Sequence, residues 1–126
     1  MVSTALLVAA ALIFGVGAAH SWLGERLLIG PLLALDRREA LLKKGGFGAR
    51  VLRFAWHLTT VAWWGIGAML VAIARLPLDP ASRVILVVIA ATFLVTGLTI
   101  LLTSRGRHLA WPVFVAIAGL SLAPLL

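Results

Sequence analysis

Long apolar stretches dominate the chain, and short polar segments separate them. Four stretches reach or approach the roughly 20 residues that a helix needs to cross a bilayer's hydrocarbon core. They cover residues 5–23, 54–74, 84–103 and 109–126. None alternates apolar and polar residues as barrel strands do, so helices satisfy the backbone hydrogen bonds inside the membrane. The pattern predicts an all-α integral membrane protein: a single transmembrane domain over residues 1–126, with four transmembrane helices in an up-down bundle.

The connection between the first two spans, residues 24–53, is long and only partly polar. Its apolar run from Leu27 to Leu35 is too short to cross a bilayer, and Gly30 and Pro31 interrupt it. We expect this interfacial segment, about Leu27 to Leu42, to continue the first helix, bend at Gly30-Pro31 and lie along the membrane surface. Three glycines then predict a flexible turn before the second span: Gly45, Gly46 and Gly48.

Cations are distributed unevenly among the connections. The first and third connections together carry nine lysines and arginines, and the second carries two. The positive-inside rule therefore places the first and third connections in the cytoplasm and both termini outside, in a bacterial-type inner membrane. Residues 6–17 are not expected to be a signal-peptide core, because no lysine or arginine precedes them.

Composition narrows the function classes. Hydrophobic residues make up 63% of the 126 residues and charged residues only 12%, far from the roughly 25% charged that is usual in soluble domains. The net charge of +7 is therefore expected to face anionic lipid, and no nucleic-acid partner is predicted. The absence of cysteine excludes disulfides and thiolate metal sites.

The three histidines each stand at the end of a different predicted span. With the predicted orientation, His20, His57 and His108 all lie at the cytoplasmic edge, and Glu25 is the acidic residue nearest to a span there. Imidazoles with a carboxylate suit a transition metal, and two histidines could hold haem. The pattern predicts a metal or haem site of these four residues. It lacks the close His or Glu pairing that would identify a metal motif.

Arginines suggest a second chemistry at the same edge. Arg50, Arg53 and His57 are spaced three and four residues apart, so they share one helical face that continues through Thr60. Arg105 and Arg107 precede His108. Such arginines could hold the phosphate or carboxylate of a lipid while a histidine handles a proton. The alternative is that these residues only meet lipid headgroups.

A geometric condition applies to His20 and Glu25. Five residues correspond to about 140° on a helix, so the two side chains are not expected to share a face unless Gly24 breaks the helix.

Small and hydroxyl residues at one-turn spacing predict helix-packing faces. These faces are expected inside the bundle, in a homo-oligomer or against a larger membrane complex. Alternatively, the threonine hydroxyls bond to their own helix backbone. The residues are Gly15, Ala19, Thr92, Thr96, Thr99 and Gly119.

Together these patterns predict a small four-helix inner-membrane protein whose histidine site binds a metal ion or haem. Two other functions remain open. One is a non-catalytic accessory subunit of a larger membrane complex, and the other is a lipid- or anion-binding membrane enzyme that uses Arg53 and His57. No reaction and no catalytic residue are predicted.

Overall fold

The structure, a computed structural model, describes residues 3–35 and 46–126. Within these ranges every regular element is helical and no strand occurs, which confirms the predicted all-α class. The elements are α1 (Thr4–Gly24), a π-helical segment (Glu25–Ile29), α2 (Gly30–Ala34), α3 (Phe47–Ile73), α4 (Pro80–Ser104), α5 (Ala110–Leu122) and a 3₁₀ turn (Ala123–Leu125).

Three helical stretches are long and apolar enough to cross a bilayer: Thr4–Ala34, Phe47–Ile73 and Pro80–Ser104. They correspond to the first three predicted spans. The fourth predicted span forms a shorter apolar helix, Ala110–Leu125. The length and composition of these helices are thus consistent with a helical membrane protein, and the count of four spans stays a prediction.

The first connection begins as helix. As expected, helical structure continues from α1 past Gly30-Pro31, through α2 to Ala34, and the bend at Gly30-Pro31 stays a prediction. The expectation of a turn that includes Gly48 is wrong. Gly48 lies inside α3, which begins at Phe47, because no proline or charge run stops the helix there. Residues 36–45, which include the rest of the predicted interfacial segment and Gly45, lie outside the described residues.

The π-helical segment explains how the helix passes Pro31. Proline lacks the N–H that an α-helix would use at that position. The Gly30 N–H instead bonds to the Glu25 carbonyl, five residues back. A side chain at Gly30 would bring its Cβ to 2.7 Å from the same carbonyl oxygen, so the tight turn depends on glycine.

A π-helical turn contains about one residue more than an α-helical turn, and this extra residue keeps one face of the helix aligned. Residues Gly17, Ser21, Glu25, Ile29 and Leu33 recur every four positions. In a straight α-helix such a set drifts by about 40° per step, or roughly 160° in total. One additional residue in the π turn removes about 100° of this drift, so Ile29 and Leu33 are buried on the side that also carries Ser21 and Glu25.

The chain forms two compact units, of which the first is Gly17–Trp64. Its apolar core joins the π turn and α2 to the beginning of α3. The buried residues are Ile29, Leu33 and Ala49, with Leu52 and Trp56 packed against them.

The second unit consists of Met1–Val16 and Gly65–Leu126. The Phe93 ring of α4 stacks on the Phe114 ring of α5 with centroids 5.5 Å apart. The absence of a side chain at Gly97 permits this approach, since a Cβ there would lie 3.2 Å from that of Phe114.

Asp79 caps the beginning of α4. Its side chain accepts a hydrogen bond from the Ser82 backbone N–H at 2.7 Å, and Pro80 occupies the first turn. Hydrogen bonds from Ser82 lower the pKa of the Asp79 carboxyl. The capping contribution is therefore present above the ordinary aspartate pKa and is lost as pH falls through the lowered value.

Candidate functional site

The first unit holds five polar residues where α1 faces α3. We call them the polar cluster: Ser21 near the end of α1, Glu25 at the beginning of the π-helical segment, and Arg53, His57 and Thr60 on α3. Ser21 and Glu25 are four residues apart and the α3 trio is spaced by four and three, so each set occupies one helical face. The predicted common face of Arg53, His57 and Thr60 is confirmed.

His57 is the centre of the polar cluster, because both of its ring nitrogens have a partner. Nδ1 lies 2.9 Å from the Ser21 hydroxyl oxygen. Nε2 lies 3.4 Å from Glu25 Oε2, a longer contact. A carboxylate accepts hydrogen bonds but does not donate them, so Glu25 favours a proton on Nε2. The ring therefore stands between a hydroxyl group and a carboxylate.

Glu25 is held by Arg53 as well as by His57. Arg53 donates from Nη2 to Oε1 at 2.6 Å and from Nε to Oε2 at 3.1 Å. This two-point contact fixes the orientation of the carboxylate. The side chains of Arg53 and Glu25 remain 52% and 34% exposed, so the pair belongs to the open end of the cluster, and its contribution to stability is modest.

The other end of the polar cluster is buried. Thr60 is 4% exposed, and its hydroxyl lies 2.8 Å from that of Ser21. Thr60 also donates to the Gly17 carbonyl at 3.2 Å. A backbone carbonyl has no proton to pass on, so the chain of hydrogen bonds ends there.

His20 of α1 faces away from Glu25. Its side chain contacts aromatic rings. Its imidazole stacks on Trp56, with centroids 4.5 Å apart and planes 3° from parallel. Trp63 lies against it at 4.9 Å, and the Trp56 indole donates to the His20 carbonyl at 3.0 Å. Gly24 does not break α1, so His20 and Glu25 keep separate partners, as their 140° separation predicts.

The structure gives no support to the predicted metal or haem site of His20, Glu25, His57 and His108. Within residues 3–35 and 46–126, no three histidine, aspartate or glutamate side chains are grouped so that they could hold a metal ion. The His57 ring is engaged at both nitrogens. The His20 ring is packed between two indoles, and its buried Nε2 has no hydrogen-bond partner among the described residues.

His108 belongs to the second unit, in the connection before α5. Its Nδ1 accepts a hydrogen bond from the Ala110 backbone N–H at 3.2 Å. It therefore satisfies one of the free N–H groups at the beginning of α5. Arg105 and Arg107 lie exposed in the same connection, and their anion-binding role stays a prediction.

Arg50 and Arg53 both lie in α3 and line a groove of about 510 Å³ in the first unit. Two arginines and several apolar residues thus line the same groove. Its other lining residues are Gly30, Leu33, Ala34, Ala49 and Phe54.

The predicted packing residues have open surroundings where the structure describes them. Among residues 3–35 and 46–126, a Cβ at Gly15 or Gly119 would meet nothing within 4 Å, and Ala19 is exposed. The hydroxyls of Thr92, Thr96 and Thr99 each donate to a carbonyl four residues earlier at 2.8 Å. The alternative of backbone bonding is thus confirmed for the threonines, and packing of these faces against a partner stays a prediction.

Three residues of this region were not predicted as site residues from the sequence: Ser21, Thr60 and Gly24. The spacing signal was present, because Ser21 lies four residues before Glu25 and Thr60 three residues after His57. Gly24 permits the helices to approach, since a Cβ there would collide with the Trp56 indole. That role depends on the partner helix, so position in the sequence alone does not indicate it.

Comparison with protein-family models, curated proteins and solved structures finds no match for this chain. The chemistry of the polar cluster is therefore the evidence that bears on function.

Proposed function

We propose that this chain is an inner-membrane protein with an acid–base site at the cytoplasmic edge, in which His57 takes up and releases a proton. The observation that carries the proposal is the His57 ring, with the Ser21 hydroxyl at one nitrogen and the Glu25 carboxylate at the other. Histidine is the side chain whose ordinary pKa lies closest to neutrality. A carboxylate beside one ring nitrogen orients the ring and stabilises the charged imidazolium; in hydrolytic triads the carboxylate lies at Nδ1, whereas Glu25 lies at Nε2.

The charges of the site indicate what it binds. With neutral His57, the charges of Arg53 and Glu25 cancel, and the trio attracts anions weakly. A proton on His57 leaves one uncompensated positive charge next to the half-exposed Arg53 guanidinium. The ligand we propose is the phosphate of an anionic lipid headgroup, which guanidinium groups recognise well. The groove lined by Arg50 and Arg53 supports this choice with apolar surface beside the cations.

Membrane arrangement completes the proposal. Four spans, with α5 as the last, place both termini outside the cytoplasm and the polar cluster on the cation-rich inner side. Ionisable residues that pair with one another at the edge of a span are candidates for binding or proton handling.

The proposal is tested by titrating the purified protein, in a neutral detergent, with short-chain phosphatidylglycerol at pH 6 and pH 8 in a calorimeter. A phosphodiester does not titrate in this range, so pH acts on the protein. We expect binding about fivefold tighter at pH 6, which is the effect of one additional exposed charge. His57→Gln abolishes the pH dependence, and Arg53→Gln weakens binding at both pH values.

Arg83→Gln is the matched control, because Arg83 is an exposed arginine outside the first unit; it should bind like the wild type. Short-chain phosphatidylcholine controls for acyl chains alone. Equal binding of the two lipids, or a pH dependence that persists in His57→Gln, contradicts the proposal.

A second candidate is the accessory subunit of a larger membrane complex. The observation that favours it is the open space around Gly15 and Gly119, since small residues permit close helix contacts in lipid. Purification in a mild detergent distinguishes it: a subunit is recovered with its partners, and Gly15→Leu releases them.

A further inference from the structure

The Ser21 and Thr60 hydroxyls carry two protons, but they take part in three hydrogen-bond contacts. Thr60 has one hydroxyl proton but two neighbours that accept it, the Ser21 hydroxyl at 2.8 Å and the Gly17 carbonyl at 3.2 Å. Ser21 also has one proton, and its neighbours are Thr60 and His57 Nδ1. Each hydroxyl can donate only one strong hydrogen bond at a time. The chain therefore has two alternative directions.

The proton count of His57 decides between these directions. In the neutral ring, Glu25 keeps the proton on Nε2, so Nδ1 is an acceptor. Ser21 then donates to Nδ1, and Thr60 donates to Ser21. In the imidazolium, Nδ1 is a donor, so Ser21 must accept from it. Ser21 then donates to Thr60, and Thr60 donates to the Gly17 carbonyl.

We propose that protonation of His57 reverses the Thr60–Ser21 hydroxyl chain, so that these two hydroxyls regulate how readily the site takes up its proton. One proton from water adds to the Nδ1 lone pair. The two O–H bonds do not break but rotate to new acceptors. This inference rests on the proposed function, because it assumes that His57 titrates.

The groups around His57 support this assignment from both helices. On the first helical stretch these are Ser21 of α1 and Glu25 of the π-helical segment, with His20 on a neighbouring face; on α3 they are Arg53 and Thr60. Arg53 is occupied by the Glu25 carboxylate at two points. The hydroxyl chain is thus the part of the cluster whose direction follows the Nδ1 proton.

Removal of the Thr60 hydroxyl should act unequally on the two states. In the neutral state, Thr60→Val deprives Ser21 of a donor, which leaves only an oxygen lone pair unused. In the protonated state it deprives the Ser21 O–H of its acceptor, which is the costlier loss in a buried place. The ratio of protonated to neutral His57 should therefore fall about fivefold at the pH where the wild type is half protonated.

Nitrogen NMR of the histidine ring tests the inference in the full-length protein, labelled with ¹⁵N-histidine and measured in micelles between pH 5 and pH 8. His57→Gln assigns the signals. Thr59→Val is the matched control, because the adjacent Thr59 hydroxyl donates to the Ala55 carbonyl of its own helix. We expect neutral His57 to carry its proton on Nε2, Thr60→Val to shift the ratio, and Thr59→Val and Thr60→Ser to leave it unchanged.

The outcomes separate the two proposals. A neutral ring with its proton on Nδ1, or equal effects of Thr60→Val and Thr59→Val, overturns the inference and leaves the proposed function standing. The tautomer measurement uses the wild type and does not depend on whether Thr60→Val folds. A His57 ring that does not change between pH 5 and pH 8 overturns the proposed function and the inference with it.

Discussion

At the scale of single residues, a side chain's role in this protein depends on which helix faces it. Gly15 and Gly24 both lie in α1, yet their surroundings differ. A Cβ at Gly15 meets no atom within 4 Å, whereas one at Gly24 collides with the Trp56 indole. Trp56 in turn stacks on His20, so Gly24 supports the aromatic contacts beside the polar cluster.

Gly24→Ala is therefore expected to destabilise the protein by about 1–3 kcal/mol, the usual range for overpacking a close contact. Gly15→Ala is the control and should be neutral or stabilising by up to about 1 kcal/mol, since alanine favours a helix. Unfolding in mixed micelles, followed by circular dichroism, measures both. Equal midpoints for the two variants would contradict the close approach of Trp56.

Sequence reasoning at this scale succeeded where chemistry and spacing on one helix were sufficient. Arg53, His57 and Thr60 share a face because their separations are four and three residues, and the structure confirms this. The sequence could not establish whether His20, His57 and His108 converge, because equal depth in a membrane does not determine lateral position. His20 faces two indoles, and no pattern within α1 indicates them.

At the scale of elements, the π turn is the feature that aligns the first helix with α3. It supplies one more residue than an α-helical turn, and without it Ile29 and Leu33 would rotate away from the side of Ser21 and Glu25. The Gly30-Pro31 pair indicates an irregularity in the sequence. Helical structure continues past it, and the irregular hydrogen bonding lies upstream, at Glu25–Ile29, a shift that the sequence pattern does not indicate.

Deletion of a residue from the π turn should consequently be tolerated. Removing Leu28, which is exposed, converts the turn into a regular α-helix while Glu25 and Leu33 keep their faces. Removing Leu23, also exposed, rotates Gly24 and Glu25 by about 100° relative to Ser21. We expect the Leu23 deletion to cost at least about 1 kcal/mol more than the Leu28 deletion.

Thermal unfolding in detergent measures this difference. The bridge between Glu25 and Arg53 provides a second readout, since Arg53→Gln should have little further effect in the Leu23 deletion but a measurable one in the Leu28 deletion. A Leu28 deletion as damaging as that of Leu23 would contradict the role of the π turn.

At the scale of the whole molecule, composition and hydropathy are sufficient to predict the class. An apolar stretch of about 20 residues has few alternatives to a membrane helix, and the described part of the chain contains three such helices. The fourth predicted span forms a shorter helix, Ala110–Leu125, so its crossing stays a prediction.

Single-cysteine variants can determine the topology, because the sequence contains no cysteine. A membrane-impermeant maleimide should label Ala81→Cys and Leu126→Cys in intact cells, and Arg107→Cys only after lysis. These positions report the second connection, the C-terminus and the third connection. If Leu126→Cys is protected like Arg107→Cys, α5 does not cross; if the whole pattern is inverted, the predicted orientation is wrong.

The short α5 also has a consequence for the lipid around it. The 25 residues of α4 extend about 37 Å, while the stretch Ala110–Leu125 extends about 24 Å. A typical hydrocarbon core is about 30 Å thick, so a crossing α5 is too short and its packed neighbour α4 is long. If α5 crosses, hydrophobic mismatch of this kind is expected to thin the bilayer beside it and to favour thin membranes.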